Sequence, residues 1–112
     1  SRKGTRRLDL EIRVGYDCDL SRAREVLQEV LGEYPRVLKD PEPTIGVLEL
    51  GDSSIRLAVR PWVESSYYWS AFFDLQELIR NRFDEAGIKV PYPKREVHLH
   101  QEKPARPVKV VG

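Results

Sequence analysis

Three stretches of the chain alternate apolar and polar residues one by one, and two others repeat apolar residues every three or four positions. From Arg7 to Tyr16, the residues Leu8, Leu10, Ile12 and Val14 share one phase, and Arg7, Asp9, Glu11 and Arg13 the other. That period of two predicts a half-buried strand. Thr44 to Val63 holds two such runs meeting at Gly51-Asp52-Ser53-Ser54, which predicts a β-hairpin with its reversal at Gly51 and Asp52. In the second run Ile55, Leu57 and Val59 oppose Arg56, Ala58 and Arg60. In the first run Ile45 and Val47 keep one phase while Leu48 and Leu50 take the other, a slip expected of a bulge near Leu48-Glu49 or of burial on both faces. Pro61 cannot donate to a ladder and belongs at a strand end or edge. The third alternating stretch, Lys94 to His100, sets Val97 and Leu99 against Glu96, His98 and His100.

Between these lie two helical patterns. Leu20, Ala23, Leu27, Val30, Leu31 and Tyr34 form a stripe widened by Val26, with Asp19 as the expected N-cap and Pro35 as the stop. The second stripe runs Tyr68, Phe72, Leu75, Ile79, Phe83 and Ala86, with Ser65 or Ser66 as its expected cap. Its end predicts a Schellman cap with Gly87 left-handed, so that Phe83 and Ile88 touch. The order strand, helix, strand, strand, helix, strand predicts an α+β fold: a ferredoxin-like split β-α-β sandwich (βαββαβ) with two helices on one face of an antiparallel sheet. Right-handed crossovers place the first and third strands at its centre.

Composition narrows the function classes. The chain has 112 residues, enough for one domain, with 40% hydrophobic and 33% charged residues and a formal net charge of +1. That balance gives nucleic acid or an acidic membrane nothing global to attract. Basic residues gather at the ends, Arg2, Lys3, Arg6 and Arg7 at the front and Lys103, Arg106 and Lys109 at the back, and read as solvated tails. No apolar run reaches the ~18–20 residues of a membrane span. The chain begins at Ser1 and contains no Met, as expected of a piece of a longer protein. Cys18 is alone between Asp17 and Asp19, which disfavour its thiolate, so it reads as a bystander in a reducing compartment.

Chemistry-bearing constellations are sparse. No nucleophile stands beside a base, no glycine loop cradles phosphate, and no Cys/His spacing fits a metal, so neither enzyme activity nor a cofactor is expected. The loop Gly15-Tyr16-Asp17-Cys18-Asp19 is too acidic for an acylphosphatase-like phosphate site. Arg56, Ala58 and Arg60 lack the aromatic faces an RNA-binding sheet uses to stack bases, so no nucleic-acid partner is expected. His98 and His100 share a strand face and read as solvated imidazoles rather than metal ligands. Tyr67, Trp69 and Phe73 lie off the second helix's core stripe, with Trp62 close by in sequence. This aromatic excess predicts a partner surface for self-association.

Several strings, taken together and in order, are distinctive: Ser1-Arg2 then Thr5-Arg6-Arg7; Val14-Gly15-Tyr16-Asp17 with Asp19; Val37-Leu38-Lys39-Asp40; and Glu49-Leu50-Gly51 with Ser53-Ser54-Ile55. Val59-Arg60 with Trp62, Phe73-Asp74-Leu75, Phe83-Asp84-Glu85-Ala86-Gly87-Ile88 and Pro91-Tyr92-Pro93 leading to Val97 complete them. Over Ser1 to Leu99 the chain resembles the cytoplasmic C-terminal region of the small-conductance mechanosensitive channel family, MscS. The resemblance implies a non-enzymatic part of a channel that opens under membrane tension during hypo-osmotic shock. It implies a heptameric homo-oligomer, a hollow cage with side portals on the cytoplasmic side of the inner membrane, and permeating ions and small solutes. Contact with the membrane would run through transmembrane segments of the parent chain, and the isolated piece would be soluble. On this reading residues 1–6 lead in from a preceding β domain, 7–100 form the ferredoxin-like domain, and 101–112 form a tail.

The family places the strand after the Pro-Tyr-Pro connector in a small parallel barrel on the symmetry axis. Val97 and Leu99 would fill that barrel with His98 and His100 outside, or the reverse. In a monomer the same strand would pair beside the first strand instead. The candidate subunit interface is thus Trp62, Tyr67, Trp69, Phe73, Val97, His98, Leu99 and His100. The rival reading from another class is a ferredoxin-like oligomerisation module that senses a small metabolite.

Overall fold

A computed structural model describes residues 4–91. The elements are β1 (Thr5–Arg7), β2 (Leu10–Val14), α1 (Leu20–Glu33), β3 (Thr44–Leu50), β4 (Ile55–Arg60), β5 (Trp62–Glu64) and α2 (Tyr68–Glu85), the last entered through a 3-10 turn at Ser65–Tyr67. β2, β4 and β3 form an antiparallel sheet in that order, and β1 pairs antiparallel with β5. This is the expected α+β architecture, with the third predicted strand central. The first predicted strand lies at the sheet edge among the described residues. The fourth, Lys94 to His100, lies outside them.

The single first strand expected from Arg7 to Tyr16 is divided into β1 and β2, and the hairpin's second arm into β4 and β5. Pro61 explains both breaks. One register runs throughout, pairing Arg7 with Trp62 and Leu10 with Val59. Leu8 donates its N–H to the Pro61 carbonyl at 2.8 Å. Pro61 has no N–H to return the bond, so the ladder lapses there while its alignment persists. The phase slip in β3 is a bulge: the register shifts between Val47 and Glu49. It turns Val47, Leu48 and Leu50 outward, against the alternative of burial on both faces, and Leu50 stays 67% exposed. The reversal closes with Gly51 N–H on the Ser54 carbonyl at 2.9 Å, and Tyr16 Oη donates to the Gly51 carbonyl.

Both helices end where their sequences say. Asp19 accepts from the Ser21 N–H at 3.0 Å, capping α1. Tyr34 is extended, at φ −80° and ψ 118°, because a residue before proline is kept out of the helical region. At the end of α2, Gly87 has φ +76°. Ile88 N–H reaches the Phe83 carbonyl at 2.8 Å and Gly87 N–H the Asp84 carbonyl at 3.1 Å, which is the Schellman pattern. The start of α2 departs from expectation. Neither Ser65 nor Ser66 caps it through a side chain; the 3-10 turn leads in, and Tyr67 at the N-cap makes no capping side-chain bond.

One hydrophobic cluster fills the space between sheet and helices. Leu10, Ile12 and Val14 of β2 and Ile55, Leu57 and Val59 of β4 supply its floor, and Ala23, Val26, Leu27 and Val30 of α1 one half of its roof. The α2 half is Ala71, Leu75, Ile79 and Phe83, with Tyr68 and Phe72 only partly buried. The buried stripe therefore starts one turn later than the aromatic pattern suggested. Arg82 clamps the helices together, holding Glu33 of α1 at 2.7 Å and Glu29 at 3.3 Å. Across the opposite face of the sheet, Arg56 on the central strand reaches Glu11 on β2 at 2.8 Å and Glu49 on β3 at 2.7 Å. Bonds to those two carboxylates push the Arg56 guanidinium above its ordinary pKa, so it stays charged. No described helix is long and apolar enough to cross a membrane.

Candidate subunit interface

Aromatic residues crowd the first two turns of α2. Trp69 and Phe73, four residues apart, stack with ring centroids 6.0 Å apart and planes 29° from parallel. Tyr68 meets Trp69 edge-on at 5.0 Å, and Phe72 meets Trp69 at 5.7 Å and Phe73 at 5.6 Å. Tyr68 and Phe72 turn partly into the core, which leaves Trp69 60% and Phe73 62% exposed. Such an adjoining pair of large apolar rings is the kind of surface that partners cover.

The other predicted members take different places. Trp62 lies in β5 opposite Arg7, half-buried, and its carbonyl accepts from the Leu38 N–H at 2.8 Å. Tyr67 lies beneath Arg36, whose guanidinium carbon is 3.7 Å from the ring centroid. Arg6 covers Tyr68 in the same way at 3.7 Å. Among the described residues no ring contact joins Trp62 or Tyr67 to Trp69 and Phe73. The patch is therefore the Trp69–Phe73 pair flanked by two arginine-covered tyrosines. Val97, His98, Leu99 and His100 lie outside the described residues.

Two features escaped the sequence pattern. Tyr34 donates to the Asp74 carboxylate at 2.6 Å, tying the end of α1 to α2. Partial burial, then that bond and the carboxylate's charge, push the Tyr34 phenol up to about 12. No sequence signal couples residues forty apart; only the packing angle of the helices does. The second is the outward row Val47, Leu48 and Leu50 on β3, whose signal was the phase slip itself.

The polar surface offers little convergent chemistry. Burial, followed by the charges of Asp19 and Asp17, raises the Cys18 thiol above its ordinary pKa, which weakens it as a nucleophile. Among the described residues no three His, Cys, Asp or Glu side chains gather as a metal site. A groove of about 660 Å³ lies between α1 and the loop before β3, edged by Arg24, Gln28, Lys39 and Glu42. Arg24 is committed there, donating to the Ile45 carbonyl at 2.8 Å.

Residues 8–90 match the family model described as mechanosensitive ion channel MscS, C-terminal. An MscS family protein of Synechocystis is 46% identical over 99 residues, 88% of this chain and 33% of the relative. The small-conductance mechanosensitive channel of Edwardsiella ictaluri is 37% identical over 106 residues, 95% of this chain and 37% of that one. The chain thus spans about a third of the length of these relatives. Among solved structures, the closed state of Helicobacter pylori MscS superposes with a TM-score of 0.76 at 24% identity, covering 80% of this chain and 36% of that one. Arabidopsis thaliana MSL1 does so at 0.66 and 13% identity, covering 82% and 35%. These two likenesses speak to the fold alone. The family model spans most of the chain and the nearer relatives share over a third of their aligned residues with it, so the chain belongs to the MscS family of mechanosensitive ion channels, as its C-terminal domain.

Proposed function

We propose that this domain is a wall segment of the cytoplasmic cage of a tension-gated channel, a non-enzymatic part whose work is to assemble around a permeation path. The observation that carries the reading is the family match over residues 8–90, with a relative at 37% identity that bears the name of a small-conductance mechanosensitive channel. The exposed Trp69–Phe73 pair supports self-association, since an unpartnered apolar surface of this kind costs solubility unless another subunit covers it. We take the oligomer to be the heptamer the family resemblance implies, with residues 7–100 as the assembling unit and the membrane reached through other parts of the parent chain. Ions and small solutes pass the wall and bind nothing on it.

The test is electrophysiological. The full-length parent, expressed in bacteria lacking their own mechanosensitive channels, should open under suction on membrane patches and rescue survival after hypo-osmotic shock. Patches that stay silent up to the tension that ruptures them would refute the reading. A metabolite-sensing module is the second reading, favoured by the groove edged by Arg24 and Lys39. It calls for a thermal shift with one class of metabolite, where a cage wall shows none.

A further inference from the structure

The larger sheet runs β2-β4-β3, so β3 is one of its edges and has no strand partner on its outer side among the described residues. Val47, Leu48 and Leu50 stand exposed along it. Tyr16 joins them, half exposed and fixed beside the hairpin by its bond to the Gly51 carbonyl. The Trp69–Phe73 pair belongs to the other edge, since Phe73 lines a groove with Glu11, Ile12 and Arg13 of β2. One subunit thus carries two apolar patches, at opposite edges of its sheet. The β3 edge is poorly suited to receive another strand. Arg24 of α1 already donates to the Ile45 carbonyl at 2.8 Å, and the register shift between Val47 and Glu49 breaks the even spacing that a new strand would pair with. What β3 offers is a surface for side chains.

We propose that the β3 patch accepts the Trp69–Phe73 pair of a second copy of this chain, so that each subunit shows its α2 patch to one neighbour and its β3 patch to the other. The inference rests on the reading of this chain as one member of a channel ring. A closed ring of three or more copies needs two different surfaces on each copy, because the front of one meets the back of the next. Two Trp69–Phe73 pairs facing each other would instead close a two-fold dimer and leave the β3 patch bare to water. Charge supports the heterologous match. Arg6 and Arg36, held over Tyr68 and Tyr67, put positive charge beside Trp69. Asp74, next to Phe73, is engaged by Tyr34. Around the β3 patch the exposed charges are negative: Asp17 follows Tyr16 and Asp52 follows Gly51, on two loops joined by the Tyr16 bond, while Glu49 is held by Arg56 at 2.7 Å. Opposed rims of this kind fix which patch meets which, and the buried rings and aliphatic chains hold them there.

Thiol cross-linking of the full-length parent in its membrane tests the pairing, in a Cys18→Ser background with a short bis-maleimide. Leu50→Cys and Trp69→Cys are made singly and together; both parent side chains are well exposed, so the fold tolerates the changes. The double variant should give a ladder of covalent dimers, trimers and larger species that the Cys18→Ser parent lacks, and each single variant should stay monomeric. A dimer from Trp69→Cys alone shows α2 meeting α2 and overturns the proposal. So does a dimer from Leu50→Cys alone, which shows β3 meeting β3. A double variant without the ladder overturns it as well. Suction on patches from the same cells separates the two readings: if the channel opens and the ladder is missing, the pairing of patches falls and the channel reading stands. A ladder in silent patches keeps the pairing and refutes the channel.

Discussion

Replacing Gly87 by alanine isolates the cost of a single backbone conformation. Gly87 sits at φ +76°, and a Cβ built there meets nothing within 4 Å. Sterics with neighbours therefore drop out, and only the left-handed backbone is penalised, by about 1–2 kcal/mol for an L residue with a side chain. Alanine also stiffens the unfolded chain, which offsets roughly 0.4–1 kcal/mol of that. The expected net loss is about 1 kcal/mol, a fall of roughly 4–8 °C in Tm for a domain of this size. Urea unfolding followed by far-UV circular dichroism reads it as a lower midpoint at unchanged slope. Gly87→Asn should lose less, because asparagine tolerates the left-handed region. Phe83→Ala, whose parent ring is 1% exposed in the core, sets the upper scale at about 3–5 kcal/mol. A Gly87→Ala chain as stable as the parent would refute the argument. So would one as damaged as Phe83→Ala, since that would mean Gly87 is closely packed and not merely left-handed.

Tyr34 gives a pH signature. Its phenol is held protonated up to about 12 in the folded chain against about 10 when unfolded, so this stabilisation is complete below pH 10 and fades as pH rises towards 12. Tyr34→Phe should cost about 1 kcal/mol at pH 7 by urea titration and flatten that alkaline decline; an equally steep decline in the variant argues against Tyr34 as its source. For the interface, Trp69→Ala with Phe73→Ala should lower the molar mass seen in sedimentation, and an unchanged oligomer rules the patch out. In the full-length channel, neutralising Asp40, Glu42 and Asp52 together should leave ion preference nearly unchanged, because exposed charges are screened within roughly 8 Å at physiological salt. A strong shift in reversal potential would refute that screening argument.

Much of this molecule is written locally. The period of two in β2 and β4, the period near 3.6 in both helices, the Asp19 cap, the Pro35 stop and the Gly87 turn each depend on a few adjacent residues, so sequence alone determined them. The bulge in β3 was legible for the same reason, as a break in phase. Interrupted pairing at Pro61 was half legible: the missing donor is local, but its partner Leu8 lies more than fifty residues away. What periodicity cannot encode is which neighbour a face meets. The placing of Arg56 between Glu11 and Glu49, of Arg82 against Glu29 and Glu33, and of Tyr34 on Asp74 follows from strand order and helix packing alone. The same limit applied to the aromatic helix. The pattern marked Tyr67, Trp69 and Phe73 alike as surplus to the core, and tertiary structure alone stacked Trp69 on Phe73 in the open while laying Arg36 over Tyr67. An exposed face is fixed by a residue's phase on its own element, whereas cover for that face comes from residues distant in the chain, and only folding brings them near.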